Sequence, residues 1–173
     1  MNPYLDEFDK LDEFDVYGPR RAMVKKYAWA IPCDLSISKI AALSPIVEVG
    51  AGGGYWASLL QQAGATVRAL DSGRLKTDAQ WFPVEKGGPE TLKEFGDGWS
   101  LFLCWPPYDD RMGVDCLRNF RGTRLAYVGE GSGGCTGDDD FHDYLDDHFN
   151  CVDVVYNPHW EGIHDSLRIY VKK

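Results

Sequence analysis

Two hydrophobic periodicities alternate along the chain from residue 45 onward. Continuous apolar runs typical of buried strands lie at 45–50, 66–71, 99–105 and 123–130, with a shorter candidate inside 81–88. Segments with helical spacing lie between them, at 55–64, 89–96, within 110–122 and at 138–149. Strands that alternate with helices predict an α/β fold with a mostly parallel central sheet and helices on both faces.

The end of the chain departs from this alternation. Two strand-like runs, 151–160 and 166–173, are separated only by the short connection EGIHD. Parallel neighbours need a long crossover, whereas antiparallel neighbours do not. The pattern therefore predicts a C-terminal antiparallel hairpin at one edge of the sheet.

The opening of the chain repeats itself as LDEFDK and then LDEFDV. The repeat places apolar side chains at every third position, Leu5, Phe8, Leu11 and Phe14. This spacing predicts an amphipathic helix that Gly18-Pro19 ends. The helix is expected to dock on the rest of the protein, and the alternatives are a mobile lid or an acidic arm that binds a partner.

Two further helices are predicted before the first strand. The segment 20–31 ends before a proline, and 33–44 contains a helix that Ser36 is placed to cap. We therefore expect a helical extension over residues 1–44, packed on a domain that spans residues 45–173.

Composition narrows the classes of function. The 173 residues carry a net charge of −9, which argues against non-specific binding to nucleic acid, although GPRRAMVKK leaves a local basic face open. No run approaches the roughly 20 apolar residues of a membrane span, and MNPYLDEFDK lacks the apolar core of a signal peptide. We expect a cytoplasmic protein that does not associate with membranes.

A glycine-rich loop, VEVGAGGGYW, follows the first strand and opens a helix. Glycines there let the backbone turn tightly and approach a ligand, and the helix N-terminus offers free N–H groups. Two known sequence motifs fit this loop. Gly52-x-Gly54-x-x-Ala57 fits the relaxed dinucleotide fingerprint, whereas Glu48-x-Gly50-x-Gly52-x-Gly54 matches the first motif of S-adenosylmethionine-dependent methyltransferases.

Two features outside the loop bear on this choice. Asp71 closes the second strand, where a carboxylate accepts hydrogen bonds from the ribose hydroxyls of either cofactor. The most apolar strand ends in LFLCWPPY, which puts Trp105 directly before Pro106-Pro107-Tyr108. With these motifs in this order, the chain resembles the Rossmann-like (class I) S-adenosylmethionine-dependent methyltransferase superfamily over residues 45–173. The stretches YAWAIP, VEVGAGGGYWA, CWPPYDD and GEGSGG are similar to a small branch with WPPY in place of D/N/S-P-P-Y.

The resemblance implies a Rossmann-like fold and a set of functional residues. The residues that would bind S-adenosylmethionine are Glu48, Gly50, Gly52, Gly54 and Asp71. In amino methyltransferases with D/N/S-P-P-Y, the first side chain accepts a hydrogen bond from the target amine. By the same resemblance, Pro106 would offer its carbonyl to that amine, and the ring of Tyr108 would stack on a planar substrate.

Trp105 departs from the family pattern, because indole donates a hydrogen bond and cannot accept one. Three consequences stay open. In the first, Trp105 forms an apolar wall of the pocket for a different substrate, and Asp109, Asp110 or Glu130 is the base. In the second, an amine is held by stacking and by Pro106 alone. In the third, the protein binds the cofactor without methyl transfer.

Further candidates lie in the loops near the end of the chain. Glu130 lies in the glycine-rich loop VGEGSGGCTGDDD, at the edge where open α/β sheets bind ligands, and is a candidate base or substrate contact. His159 and Trp160 are candidate substrate contacts between the last two strands. Asp138-Asp139-Asp140 has no metal-ligand spacing with His142, so no metal site is predicted.

The leading hypothesis is an S-adenosylmethionine-dependent methyltransferase that acts on a nitrogen or oxygen of a small molecule or partner macromolecule. The alternatives are a catalytically weak S-adenosylmethionine-binding module that works through a protein partner, a nucleic-acid N-methyltransferase, and a dinucleotide-dependent oxidoreductase. The sequence specifies neither the methyl acceptor nor the oligomeric state.

Overall fold

The computed structural model describes residues 1–11 and 17–173. Its α-helices are α1 (Pro3–Phe8), α2 (Tyr17–Lys26), α3 (Asp34–Ala41), α4 (Tyr55–Gln62), α5 (Met112–Asn119) and α6 (Asp139–His148). A 3-10 helix spans Pro89–Glu94. Within the described ranges, none of these helices has the length and apolar character needed to cross a membrane.

The strands form one seven-stranded sheet. They are β1 (Ile46–Val49), β2 (Val67–Asp71), β3 (Val84–Lys86), β4 (Ser100–Cys104), β5 (Arg124–Gly129), β6 (Phe149–Tyr156) and β7 (Ser166–Lys172). Their order across the sheet is β3-β2-β1-β4-β5-β7-β6. The pairs among β1 to β5 are parallel, and β7 runs antiparallel to both β5 and β6. The predicted α/β class, with its C-terminal antiparallel pair, is confirmed.

The sheet core follows from the alternation of side chains along its central strands. In the register between β1 and β4, Val47 lies beside Leu101, and both pack into a cluster with α5 and α6. The adjacent positions, Ile46 and Phe102, face the other side and pack with α3 and α4. Because these strands are buried on both faces, they appear in the sequence as continuous apolar runs.

A third buried cluster joins the N-terminal helices to the remainder of the protein. Its members are Tyr4, Met23, Tyr27, Ile31, Tyr55, Leu59, Trp160 and Ile163. They come from α1, α2, the connection between α2 and α3, α4 and the β6–β7 connection. The described part of the N-terminal segment therefore packs against the elements around the glycine loop.

Several predicted boundaries differ from those observed. Gly18-Pro19 lies in the first turn of α2, where proline is tolerated because the N–H groups of that turn have no helical acceptor. The helix then ends at Lys26 instead of continuing to residue 31. Phe14, expected on the first helix, falls outside the described residues, and α1 ends at Phe8.

One other local prediction was wrong. Cys33 occupies the N-cap of α3, whereas Ser36 is buried inside the helix, where its hydroxyl donates a hydrogen bond to Asn157. The helix predicted in the segment 89–96 is present as a 3-10 helix over Pro89–Glu94. The position of Ser36 depends on its contact with the distant Asn157, which residue spacing does not encode.

Candidate functional site

The glycine loop lies between the end of β1 and the start of α4. Gly50, Gly52 and Gly54 have φ angles of +79°, +54° and +76°, a region that favours glycine. The N–H groups of Gly50 and Ala51 donate to the Leu70 carbonyl, at 2.9 and 3.0 Å, which ties the loop to β2. The sequence pattern thus corresponds to a real requirement for left-handed backbone at alternate positions.

The segment that follows β2 packs closely over this loop. The Trp81 N–H donates to the Gly53 carbonyl at 2.8 Å. A Cβ added at Gly53 would lie 2.3 Å from the Ala79 carbonyl oxygen, and one at Gly54 would lie 2.7 Å from the Cβ of Phe82. Glycine is therefore required here for close packing as well as for backbone conformation.

Glu48 lies at the penultimate position of β1 and is only 2% exposed. Its Oε2 atom is buried and has no hydrogen-bond partner among the described residues. Burial raises the pKa of Glu48 to about 8, while a hydrogen bond from the Ala57 backbone N–H opposes this rise and the charge of Asp71 adds to it. A buried carboxylate with an unused oxygen is a position where a ligand donor would be stabilising.

Asp71 ends β2 and is half-buried. Its Oδ2 accepts the Gly52 N–H at 2.8 Å, and its Oδ1 accepts the Gly73 N–H at 2.7 Å. Each carboxylate oxygen can accept two hydrogen bonds, so both retain capacity for a ligand hydroxyl. The structure therefore brings Asp71 and the glycine loop into direct contact.

Trp105 follows β4 with a φ of +53°, which is unusual for a bulky side chain. Its backbone N–H donates to the Val128 carbonyl at 2.9 Å. Its ring stacks on Trp29, with centroids 5.1 Å apart and an interplanar angle of 13°. Its Nε1–H donates to Asp165 Oδ1 at 2.8 Å, so the indole N–H is already occupied by a carboxylate.

Pro106 and Tyr108, the other two candidates in this segment, differ in their surroundings. Pro106 is buried, and its carbonyl accepts the Gly137 N–H at 2.8 Å. One of the lone pairs that the resemblance assigns to a target amine is therefore used within the protein. Tyr108 is 46% exposed, so its ring remains accessible from solvent.

Glu130 joins two loops and has both carboxylate oxygens engaged. Oε2 accepts the Cys135 N–H at 2.8 Å, and Oε1 accepts the His164 N–H at 2.9 Å. Burial favours the neutral acid, but the hydrogen bonds from Cys135 and His164 outweigh it and lower the pKa of Glu130. A carboxylate with a lowered pKa is a weak proton acceptor, and these bonds favour a role in holding the loops together.

Asp165 is the residue that sequence reasoning missed. It is 1% exposed, and in the part of the chain that the structure describes its Oδ2 has no hydrogen-bond partner. Burial raises the pKa of Asp165 to about 6, the bond from Trp105 opposes the rise, and the charge of Glu130 adds to it. In the sequence, the one indication of a functional role for Asp165 is its position in the same loop as His159 and Trp160, the candidate substrate contacts.

The other two candidates in that loop have structural contacts. Trp160 is 1% exposed, and its Nε1–H donates to the Tyr4 hydroxyl at 3.1 Å. His159 Nδ1 lies 3.2 Å from the carbonyl oxygen of Trp160. Trp160 therefore anchors α1, and substrate contact by either residue stays a prediction.

Comparisons with known proteins identify the class of fold. No family model and no curated protein matches the chain, whereas many solved structures do. Magnesium protoporphyrin IX methyltransferase from Synechocystis PCC 6803, with bound S-adenosylmethionine, is similar over 98% of this chain and 91% of its own, with 13% identity and a TM-score of 0.56. A Burkholderia thailandensis 1,6-didemethyltoxoflavin-N1-methyltransferase, with bound S-adenosylhomocysteine, is similar over 99% of this chain and 87% of its own, with 15% identity and a TM-score of 0.53. The chain has the class I S-adenosylmethionine-dependent methyltransferase fold, as the resemblance implied.

Proposed function

We propose that this protein is an S-adenosylmethionine-dependent methyltransferase that acts on a nitrogen or oxygen of a small molecule or partner macromolecule. The observation that carries the proposal is the Oε2 of Glu48, which has no hydrogen-bond partner within the described ranges and is buried beside a glycine loop at the carboxyl edge of the sheet. This oxygen lacks a hydrogen-bond donor, and the ammonium group of S-adenosylmethionine can supply one.

The residues around the loop fit the remaining groups of the cofactor. Asp71 would accept hydrogen bonds from the ribose hydroxyls through the lone pairs that Gly52 and Gly73 leave unused. Gly50 and Gly52 would let the backbone approach the ligand without a side chain between them. When bound, S-adenosylmethionine supplies an electrophilic methyl group, and the contribution of the chain is to hold and orient the two reactants.

A dinucleotide fits this site less well. Its pyrophosphate needs a glycine loop that offers N–H groups without a nearby negative charge. Glu48 is buried next to that loop, and its raised pKa of about 8 leaves it mostly neutral at pH 7, so it offers a pyrophosphate no charged partner, and a nearby pyrophosphate would disfavour its ionisation further. The same carboxylate is favourable to an ammonium group.

The acceptor side is proposed to lie around the loops that follow β4 and β5. Trp105, Pro106, Tyr108 and Glu130 were the candidates, and the first of them donates to Asp165. Glu130 would then act by positioning the loops that carry Cys135 and His164. The exposed ring of Tyr108 is available to a planar substrate.

The first test is calorimetric titration of the purified protein with S-adenosylhomocysteine, and with NAD as the competing ligand. We expect S-adenosylhomocysteine to bind, and Asp71→Ala to weaken it by about tenfold or more because charged hydrogen bonds are lost. Asp97→Ala changes an exposed acid before β4, at the opposite edge of the sheet, and is expected to leave binding unchanged. Binding of NAD without S-adenosylhomocysteine would contradict the proposal.

A measurement of methyl transfer distinguishes an enzyme from a module that only binds the cofactor. Methyl-labelled S-adenosylmethionine is incubated with cell extract and either the wild-type protein or Asp71→Ala. Label transferred by the wild type and lost in the variant supports catalysis. Binding without any transfer would favour the module that works through a partner.

A further inference from the structure

Two buried carboxylates flank the end of β4. Glu48 lies opposite Phe102 in the register between β1 and β4, and Asp165 accepts the indole N–H of Trp105, the residue that follows β4. Both acids therefore lie near the carboxyl end of β4, and each has one oxygen without a partner among residues 1–11 and 17–173. Glu48 belongs to the proposed cofactor site, whereas Asp165 has no role there.

An unpartnered carboxylate oxygen that is almost fully buried is destabilising unless a donor reaches it. Trp105 satisfies Oδ1 of Asp165 but leaves Oδ2 without a donor in the described chain. The left-handed backbone of Trp105 is itself strained, and such strain clusters at ligand-binding positions. The unpartnered Oδ2 and the strained backbone are both explained if Asp165 and Trp105 are arranged to bind a ligand and not to stabilise the protein interior.

The surroundings select the chemistry of that ligand. Glu130 keeps a negative charge near Asp165 while its own oxygens are occupied by Cys135 and His164. A ligand group at Oδ2 must therefore donate hydrogen bonds and tolerate negative potential, which describes an amino group. Trp29 stacks on Trp105 and is 45% exposed, so an aromatic wall adjoins the carboxylate.

We propose that Asp165, held by the indole of Trp105, binds the amino group of a planar heteroaromatic molecule. Given the function proposed above, that molecule is the methyl acceptor. Asp165 Oδ2 accepts one amine N–H, which leaves the nitrogen lone pair free to face away from the carboxylate. Asp165 thereby supplies the hydrogen-bond acceptor that an indole at position 105 lacks.

The test compares two heteroaromatic amines with their methyl analogues, which have nearly the same shape and no N–H. The pairs are 2-aminoquinoxaline with 2-methylquinoxaline, and 6-aminoquinoxaline with 6-methylquinoxaline. Affinities are measured by NMR titration of the indole N–H signals, with and without S-adenosylhomocysteine. We expect each amine to bind about tenfold more tightly than its analogue, with a shift of the Trp105 signal.

Asp165→Asn tests the residue with little change of shape, because Oδ1 can still accept the Trp105 N–H while an NH₂ replaces Oδ2. The preference for the amine should disappear, and affinity for S-adenosylhomocysteine should persist. Ser166→Ala removes a buried neighbouring hydroxyl and should retain the preference. Equal affinity for amine and analogue in the wild type, or an unchanged preference in Asp165→Asn, would overturn the proposal.

A second measurement needs no variant. These amines stay uncharged between pH 5 and 8, so protonation of Asp165 should remove their advantage over the methyl analogues as the pH falls below about 6. Arg20, His159 and Glu130 also act electrostatically on Asp165, but the paired methyl analogue experiences the same charges. A preference independent of pH would count against Asp165. Failure of S-adenosylhomocysteine to bind would instead remove the proposed function and leave the amine site standing.

Discussion

Glu48 and Asp165 are two buried acids whose pKa values burial raises, to about 8 and about 6. Glu130 lies in a similar position but has donors on both oxygens, and its pKa is lowered. The difference comes from the number of hydrogen bonds that each carboxylate accepts and from the shallower burial of Glu130. A carboxylate with an unused oxygen is available to a ligand, whereas a fully bonded one holds loops together.

The raised pKa of Glu48 predicts proton release when the cofactor binds. At pH 7 this acid is mostly protonated in the free protein, since its pKa is about 8. An ammonium group beside it favours the charged form and lowers that pKa, so a proton leaves to the buffer. Calorimetry with S-adenosylhomocysteine at pH 7, in buffers of different ionisation enthalpy, measures this release.

Glu48→Gln is the matched control for this measurement. The amide cannot ionise, so the dependence of the binding enthalpy on buffer should vanish. Binding itself should weaken because the ammonium loses its charged partner. Proton release that persists in Glu48→Gln would show that another group is responsible.

Among the elements, α6 shows how local chemistry explains an acidic cluster. Asp138 is the N-cap of this helix, and its side chain accepts the Phe141 N–H at 2.9 Å. Asp140 pairs with Arg111 at 3.0 Å, and acids in a first turn interact favourably with the helix dipole. The run Asp138-Asp139-Asp140 therefore has a structural role at the start of the helix.

Removal of this cap should destabilise the protein. We expect Asp138→Ala to lower the free energy of unfolding by about 1 kcal/mol, because the Phe141 N–H loses its acceptor. Asp138→Asn retains an oxygen at the cap and should remain close to the wild type. Urea denaturation followed by circular dichroism measures both. Equal stability of Asp138→Ala and the wild type would contradict the capping role.

At the scale of the whole molecule, the N-terminal helices and the site share one buried cluster. Tyr4 is fully buried, stacks on Tyr27 at 4.9 Å between centroids, and accepts the Trp160 N–H through its hydroxyl. Its backbone N–H also donates to the Tyr55 hydroxyl at 3.1 Å. The described part of α1 is therefore docked, and its contacts reach both the start of α4 and the β6–β7 connection.

Docking of α1 can be measured through Tyr4. Tyr4→Ala should lower the free energy of unfolding by about 3 kcal/mol or more, because a large buried ring is removed. Tyr4→Phe keeps the ring and loses the bond from Trp160, so its effect should be near 1 kcal/mol. Denaturant unfolding gives both values. A Tyr4→Ala variant as stable as the wild type would mean that α1 acts as a mobile lid.

Much of the fold could be predicted because its signals are local. The apolar runs at β1, β4 and β5 result from burial on both faces, and the left-handed glycines at 50, 52 and 54 appear directly as residue types. The boundaries of α2 and the 3-10 helix at Pro89–Glu94 could not be obtained this way. They depend on tertiary contacts that compete with weak intrinsic propensities.

The sequence by itself determined the α/β class, the glycine loop and the acids at the ends of β1 and β2, since periodicity and backbone requirements act over a few neighbouring residues. Only the tertiary structure decided which acids have unused oxygens. Asp165 meets Trp105 across 60 positions, and Glu130 meets His164 across 34. A hydrogen bond between such distant residues depends on how the strands are ordered, and this is why Asp165 emerged as a candidate only in the folded chain.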